Sequence, residues 1–326
     1  MCVSTPAAHA DAPVFQPASA NPKFLGRVNP TTESAIGAIR FYMGLANPST
    51  GAAVLDLDLG NKKQAAGRPP ANVPGIEMKQ ITYAGMRTWR ISPQWPVGKP
   101  KVVVAIHGGA FLIPATVENW STYVMLVQRT GATILVPEYP LIPHGTAARV
   151  VPQMAGYLHR AIGDNGAADV SVLGDSAGAG LGLAAVQELV RRGAPVPASM
   201  VLVSPWLDLS MTNRSYQANA EPTLKPELLR ATSKYWAGTL GVRDPRVSPL
   251  FGSLRGLPPT YVYSGSRDPL STDAVRLSRK AATVPGSRIL FDLRRNEIHN
   301  FAMLPYLPDG VDAQMTIGAQ LIGLGG

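Results

Sequence analysis

From residue 101 onward, short apolar runs recur between longer segments whose apolar positions follow a helical period. The runs at 102–106, 132–136, 170–173, 200–203, 260–263 and 288–291 read as strands buried on both faces. The intervals near 117–130, 147–162, 177–192, 271–283 and 312–323 read as helices. This order predicts βαβ units and a mostly parallel sheet flanked by helices. Upstream, 76–83 and 86–91 flank Ala84-Gly85 and predict an antiparallel hairpin with a tight turn, bringing the expected strand count to eight. The interval 206–256 is too long for a single crossover and carries its own helix-like piece at 226–240, so it reads as an insertion. Residues 1–30 are rich in Ala and Pro and are expected to form a loosely ordered lead-in. A helix is expected after Thr31-Thr32-Glu33-Ser34, running through Ile36, Ile39, Arg40 and Met43 to Asn47-Pro48, followed by a polar Gly/Pro-rich linker at about 60–75.

Composition narrows this picture. A chain of 326 residues with 45% hydrophobic content can bury a sizeable core. No apolar run approaches the roughly 18 to 20 residues that span a bilayer, so a transmembrane helix is not expected. The formal charge is +9, but Lys and Arg are scattered and the densest patches are the pairs Arg191-Arg192 and Arg294-Arg295. These read as solvated surface, and no nucleic-acid partner is expected. Cys2 is the sole cysteine, which excludes an intramolecular disulfide and a thiolate metal site. Ala8-His9-Ala10 resembles the end of a secretory signal but lacks the charged start and apolar stretch that precede one. The compartment stays open: cytoplasmic by default, cell envelope or secreted if a signal peptide lies upstream.

The chemistry centres on Gly174-Asp175-Ser176-Ala177-Gly178, which follows the run 170–173 directly and opens the helical stretch through Leu181, Ala185 and Leu189. This is a G-x-S-x-G elbow in its strand, turn and helix context, and it predicts Ser176 as a nucleophile in an α/β-hydrolase fold. Small residues on both sides let strand and helix approach closely around a strained turn. Phosphate-binding turns fit worse. A dinucleotide fingerprint begun at Gly178 and Gly180 would need glycine where Leu183 stands, and no Gly-Lys-Ser or Gly-Lys-Thr follows. A second loop, His107-Gly108-Gly109-Ala110-Phe111, follows the run 102–106 and is expected to supply oxyanion donors from Gly108 and Gly109, joined by the N–H of Ala177. His107 reads as a structural brace of that loop, because the base of such a site follows the nucleophile in chain order.

Of five histidines, only His299 follows Ser176, in a loop after the run 288–291, and it is the expected base. Asp268 stands just beyond the run 260–263, in Ser264-Gly265-Ser266-Arg267-Asp268-Pro269-Leu270, and is the expected acid. Asp273 is its nearest rival, and helix capping after Ser271-Thr272 accounts for it. Asp292 and Glu297 lie on or beside the strand and loop leading to His299.

Together these residues resemble the bacterial hormone-sensitive-lipase family of α/β-hydrolase esterases and lipases. His107-Gly108-Gly109-Ala110 resembles its HGG(G/A) signature, and Gly174-Asp175-Ser176-Ala177-Gly178 its nucleophile motif. Ser204-Pro205-Trp206-Leu207-Asp208-Leu209, Asp268-Pro269-Leu270 and His299-x-Phe301 are further matches, so the resemblance spans about 100–303. It implies a helical cap over the site, here about 31–50 and 206–245, on a single domain over 31–326. It also implies a serine carboxylesterase or lipase acting on small-molecule or lipid esters of short- to medium-chain acids, with no metal or cofactor; a homodimer is left open. Two departures stand out. His144 occupies the place of a glutamate common in the family, and Asn300 follows the expected base where glycine is common. An acyltransferase or amidase with the same triad, and a relative that binds ligands without catalysis, remain alternatives.

Overall fold

The computed structural model describes residues 14–34, 69–213, 216, 224 and 226–324. Their strands are β1 (Gln16–Pro17), β2 (Ile76–Tyr83), β3 (Met86–Pro93), β4 (Val102–Ile106), β5 (Thr133–Pro137), β6 (Val170–Asp175), β7 (Ser199–Val203), β8 (Thr260–Gly265) and β9 (Ile289–Arg294). They form one sheet in the order β1-β9-β8-β7-β6-β4-β5-β3-β2. From β9 through β5 all neighbours are parallel, while β3, β2 and β1 join antiparallel at the two edges.

Every residue of β4, β5, β6 and β7 is buried, because helices cover both faces, and this is why those strands read as unbroken apolar runs. Alternate residues serve alternate faces. Val102, Val104 and Ile106 pack into one core with helices α2 (Ala147–Asn165), α3 (Ser176–Arg191) and α5 (Ser271–Ala281). Val103 and Ala105 pack into the other with α1 (Val117–Thr130) and α6 (Pro308–Ile322). The hairpin turn has φ of 48° at Ala84 and 77° at Gly85, the left-handed pair that suits the twist of adjoining strands.

Register delivers the functional loops to one place. Ile106 lies opposite Gly174 across β4 and β6, so the chain beyond each strand emerges side by side at the carboxyl end of the sheet. Gly265 and Arg294 are likewise opposite across β8 and β9. The chain reverses its direction of travel across the sheet at β4 and β6, where such folds open a crevice.

The sheet has nine strands rather than the eight that the sequence predicts. The extra strand, β1, is two residues long and falls in the lead-in expected to be loosely ordered. No alternation can show in so short a piece, and Pro17 suits an edge position because it has no N–H to offer. Phe15 beside it packs edge-on against Tyr261 and Tyr263, with ring centres 5.6 and 5.3 Å apart. Leu25 adds two main-chain bonds to the end of β9, to Leu293 at 2.8 Å and from Arg295 at 2.7 Å. Residues 1–13 lie outside the described residues.

Elsewhere the boundaries shift by a few residues. Strands β6, β8 and β9 run on to Asp175, Gly265 and Arg294 because ladder bonds outlast the apolar run. Helix α6 starts at Pro308, with proline at its first position. The insertion carries α4 (Pro226–Ala237). The helix expected from residue 31 is helical over the described 30–34, and its continuation lies outside the described residues. So do 35–50 and much of 214–225 of the expected cap. Among the described residues, no helix is long and apolar enough to cross a membrane.

Candidate active site

Ser176 stands at the junction of β6 and α3 with φ of 52°, a left-handed conformation that costs a non-glycine residue about 1 to 3 kcal/mol. Its neighbours explain how the turn survives. A Cβ on Gly174 would lie 2.7 Å from Ala179 Cα, and one on Gly178 would run into the Ile106 and His107 carbonyls. Strand and helix therefore close around Ser176 as no bulkier pair would allow. Four more non-glycine residues nearby have positive φ: Ala110 at 53°, Phe111 at 60°, Ser204 at 45° and Asn300 at 58°. Backbone strain thus gathers around one oxygen.

His299 reaches that oxygen from the loop after β9, with Nε2 3.0 Å from Ser176 Oγ. Its Nδ1 lies 2.9 Å from Asp268 Oδ2, in the loop after β8. Asp268 is fully buried, and its other oxygen accepts the Leu270 N–H at 2.8 Å, which fixes the carboxylate plane. The structure therefore brings Ser176, His299 and Asp268 into one hydrogen-bonded line.

The rival acids point elsewhere. Asp273 lies in the first turn of α5, but its carboxylate accepts the N–H groups of Leu207 at 2.8 Å and Asp208 at 2.9 Å, and the Tyr216 hydroxyl at 2.5 Å. It anchors the start of the insertion rather than capping its own helix. Burial lifts its pKa to about 7. Asp292 pairs with Arg294 at 2.7 Å, and Glu297 accepts from Thr32 Oγ1 at 3.0 Å.

In the expected oxyanion loop, one of the predicted donors already has an acceptor. The Gly108 N–H donates to Asp175 Oδ1 at 2.9 Å, so it is already committed. Among the described residues, the N–H groups of Gly109 and Ala110 have no acceptor, and Ala177 offers another at the first turn of α3, where helical N–H groups lack partners of their own. Ala110 is not among the donors that the sequence predicts. His107 braces the loop: its ring stacks on Tyr139 at 4.6 Å, its Nδ1 lies 2.8 Å from the Gly108 carbonyl, and Tyr139 donates to the His107 carbonyl at 2.8 Å. Burial drops its pKa to about 4, which keeps the imidazole neutral.

Asp175 ties these pieces together. Besides the Gly108 N–H it accepts Asn119 Nδ2 at 3.0 Å and Asn300 Nδ2 at 2.9 Å. Burial raises its pKa to about 6, against the opposing effect of these donors and of His299. Two cavities flank the loop. One of about 280 Å³ is lined by Gly109, Asp175, His299, Asn300, Met303 and Tyr306. The other, of about 680 Å³, is lined by Trp89, His107, Leu112, Trp120, Tyr139 and Ile142 among others. Phe111 stacks on Trp236 of α4, with ring centres 3.8 Å apart and planes at 3°, and on Trp206 at 5.8 Å. Among the described residues, no group of three or more His, Cys, Asp or Glu could hold a metal ion.

Comparison with known proteins agrees with this architecture. A family model described as α/β hydrolase fold matches residues 103–303. A triacylglycerol lipase of Mycobacterium tuberculosis is 47% identical over 231 residues, 71% of this chain and 48% of the lipase, so the chain spans about half the length of that relative. An esterase of Acinetobacter venetianus is 32% identical over 71% of this chain and 76% of its own. Among solved structures, an esterase from the bacterial hormone-sensitive lipase family superposes with a TM-score of 0.75 at 25% identity, covering 92% of this chain and all of the other. The esterase EstE5 gives 0.81 at 24% identity over 91% of this chain and 99% of its own, a likeness of fold. The chain accordingly belongs to the α/β-hydrolase family, and its structural neighbours include an esterase of the bacterial hormone-sensitive lipase family.

Proposed function

We propose that this protein is a serine carboxylic ester hydrolase working through an acyl-enzyme. The observation that carries the reading is the line from Ser176 Oγ through the two nitrogens of His299 to Asp268, at 3.0 and 2.9 Å. His299 takes the proton of Ser176 as the oxygen attacks the ester carbonyl, and the N–H groups of Gly109, Ala110 and Ala177 receive the negative charge that forms. Asp268 holds the imidazole with Nδ1 protonated and stabilises its charged form. The alcohol leaves with a proton from His299, and water activated by the same base frees the acid. The substrate class is a small-molecule or lipid ester with a short- to medium-chain acyl group. Relatives named lipase and esterase support this reading. A cap formed from about 31–50 and 206–245 closes over the site in the same proposal, and the stack of Trp236 on Phe111 supports it by seating α4 beside the oxyanion turn.

The test is covalent. A fluorophosphonate probe is expected to label the folded chain once, at Ser176, located by peptide mass spectrometry. Labelling elsewhere, or none, rejects the nucleophile and favours a ligand-binding protein. Hydrolysis of esters of graded acyl length, with an alcohol acceptor present, then separates hydrolysis from acyl transfer.

Gly108 gives a sharper check on the oxyanion loop. A Cβ there would stand 3.1 Å from Ser176 Cβ and 3.0 Å from the Asp175 carbonyl, and would collide with the Asp175 carboxylate. Gly108→Ala is expected to displace the loop and lower kcat by about 100-fold or more, read on a soluble p-nitrophenyl ester. Unchanged kcat would show that the loop does not hold the transition state.

A further inference from the structure

Asn300 follows the proposed base, and its contacts reach further than those of a loop residue need to. Its main-chain N–H donates to Ser204 Oγ at 2.9 Å, and its side-chain amide donates to Asp175 Oδ2 at 2.9 Å. A carboxylate only accepts, so the amide nitrogen must face Asp175. The amide oxygen is buried and has no partner among the described residues. Asp175 in turn holds the Gly108 N–H and, through Asn119, the start of α1. One carboxylate thus joins the turn carrying the nucleophile, the oxyanion loop and the residue next to the base.

We propose that Asn300 is a positioning residue: by bridging Ser204 and Asp175 it locks the His299 loop to the Gly108 loop and sets the base and the oxyanion donors in one frame. This rests on the ester-hydrolase reading of the site. A glycine at 300 would accept the backbone conformation, φ of 58°, but could not make the bridge. The bridge also keeps Asp175 charged. Removing a donor from a buried carboxylate favours its neutral form, and a neutral Asp175 holds the Gly108 N–H less firmly. The titratable groups facing Asp175 are His299 from the loop after β9, Tyr123 and Glu118 from α1, and Tyr139 from the loop after β5.

Two variants of the full chain test the proposal. Because glycine keeps the left-handed turn, Asn300→Gly is expected to fold and to bind substrate with unchanged KM. Its kcat should fall about 10- to 100-fold, and the acid limb of kcat/KM should move up by about half a pH unit or more. Asn300→Asp sets two carboxyls against each other, so the pair keeps one proton between them and loses it as pH rises. Its rate should fall relative to the parent as pH rises. The Asp175 carboxyl, followed by carbon-13 NMR and assigned with Asp175→Asn, should titrate higher in Asn300→Gly than in the parent. That readout needs no turnover, so it decides the proposal even if the chain hydrolyses no ester. An unchanged Asp175 midpoint, or pH profiles in both variants that superimpose on the parent, overturns it.

Discussion

Ser176→Ala is expected to remove ester hydrolysis almost completely, by a factor on the order of 10⁵ to 10⁶ in kcat, as loss of a triad nucleophile does elsewhere. The substitution deletes one oxygen whose only side-chain hydrogen bond among the described residues is to His299 at 3.0 Å. It leaves the strained backbone, the glycine contacts behind it and the Trp206 N–H bond to the Ser176 carbonyl at 3.1 Å untouched. The thermal midpoint should therefore stay within a few degrees of the parent. Loss of activity with a retained midpoint isolates chemistry from folding. Substantial hydrolysis by the purified variant would move the nucleophile elsewhere.

Asp268→Asn has the second largest expected effect, a fall of about 10⁴ in kcat. An asparagine there keeps the bond from Leu270 through its oxygen and turns its amide hydrogens towards His299 Nδ1. The imidazole must then accept at Nδ1 and carry its proton on Nε2, where it cannot take the proton of Ser176. The matching control is Asp273→Asn. Asp273 makes no bond to His299 and instead holds Leu207, Asp208 and Tyr216 at the mouth of the insertion. That variant is expected to lower the unfolding midpoint while keeping kcat within about tenfold. A reversal, with Asp273→Asn the slower enzyme, would reassign the acid.

The parallel core was legible because both faces are covered, which turns each central strand into an unbroken apolar run. The elbow was legible because its glycines form a recognisable local motif, even though only Gly174 is demanded by a neighbour in sequence, Ala179, and Gly178 by the distant Ile106 and His107 carbonyls. His299 followed from chain order. What escaped depended on distant residues. Asp175 and Asn300 are 125 positions apart, and Asp175 and Asn119 are 56, and no local pattern announces where a buried carboxylate will aim. The same blindness applies at Gly108, whose N–H donates to Asp175. A double glycine indicates an unobstructed backbone but not that one N–H is already taken. Asp273 shows the reverse case: its position does fit the first turn of a helix, yet three long-range donors use it. β1 escaped because two residues carry no period.

The edge pairing of β1 with β9 has a consequence in time. Residues 16–17 pair with 290–291, which are synthesised much later, and Thr32 meets Glu297 across 265 positions. Ser176 and the strand beneath it can be folded well before His299 is synthesised. A nascent chain would therefore hold Ser176 without His299, and residues 16–17 would wait, unpaired, for the strand that completes them. The Ser176–His299 contact and closure of the sheet edge would arrive in the same step, once residues 289–299 are made.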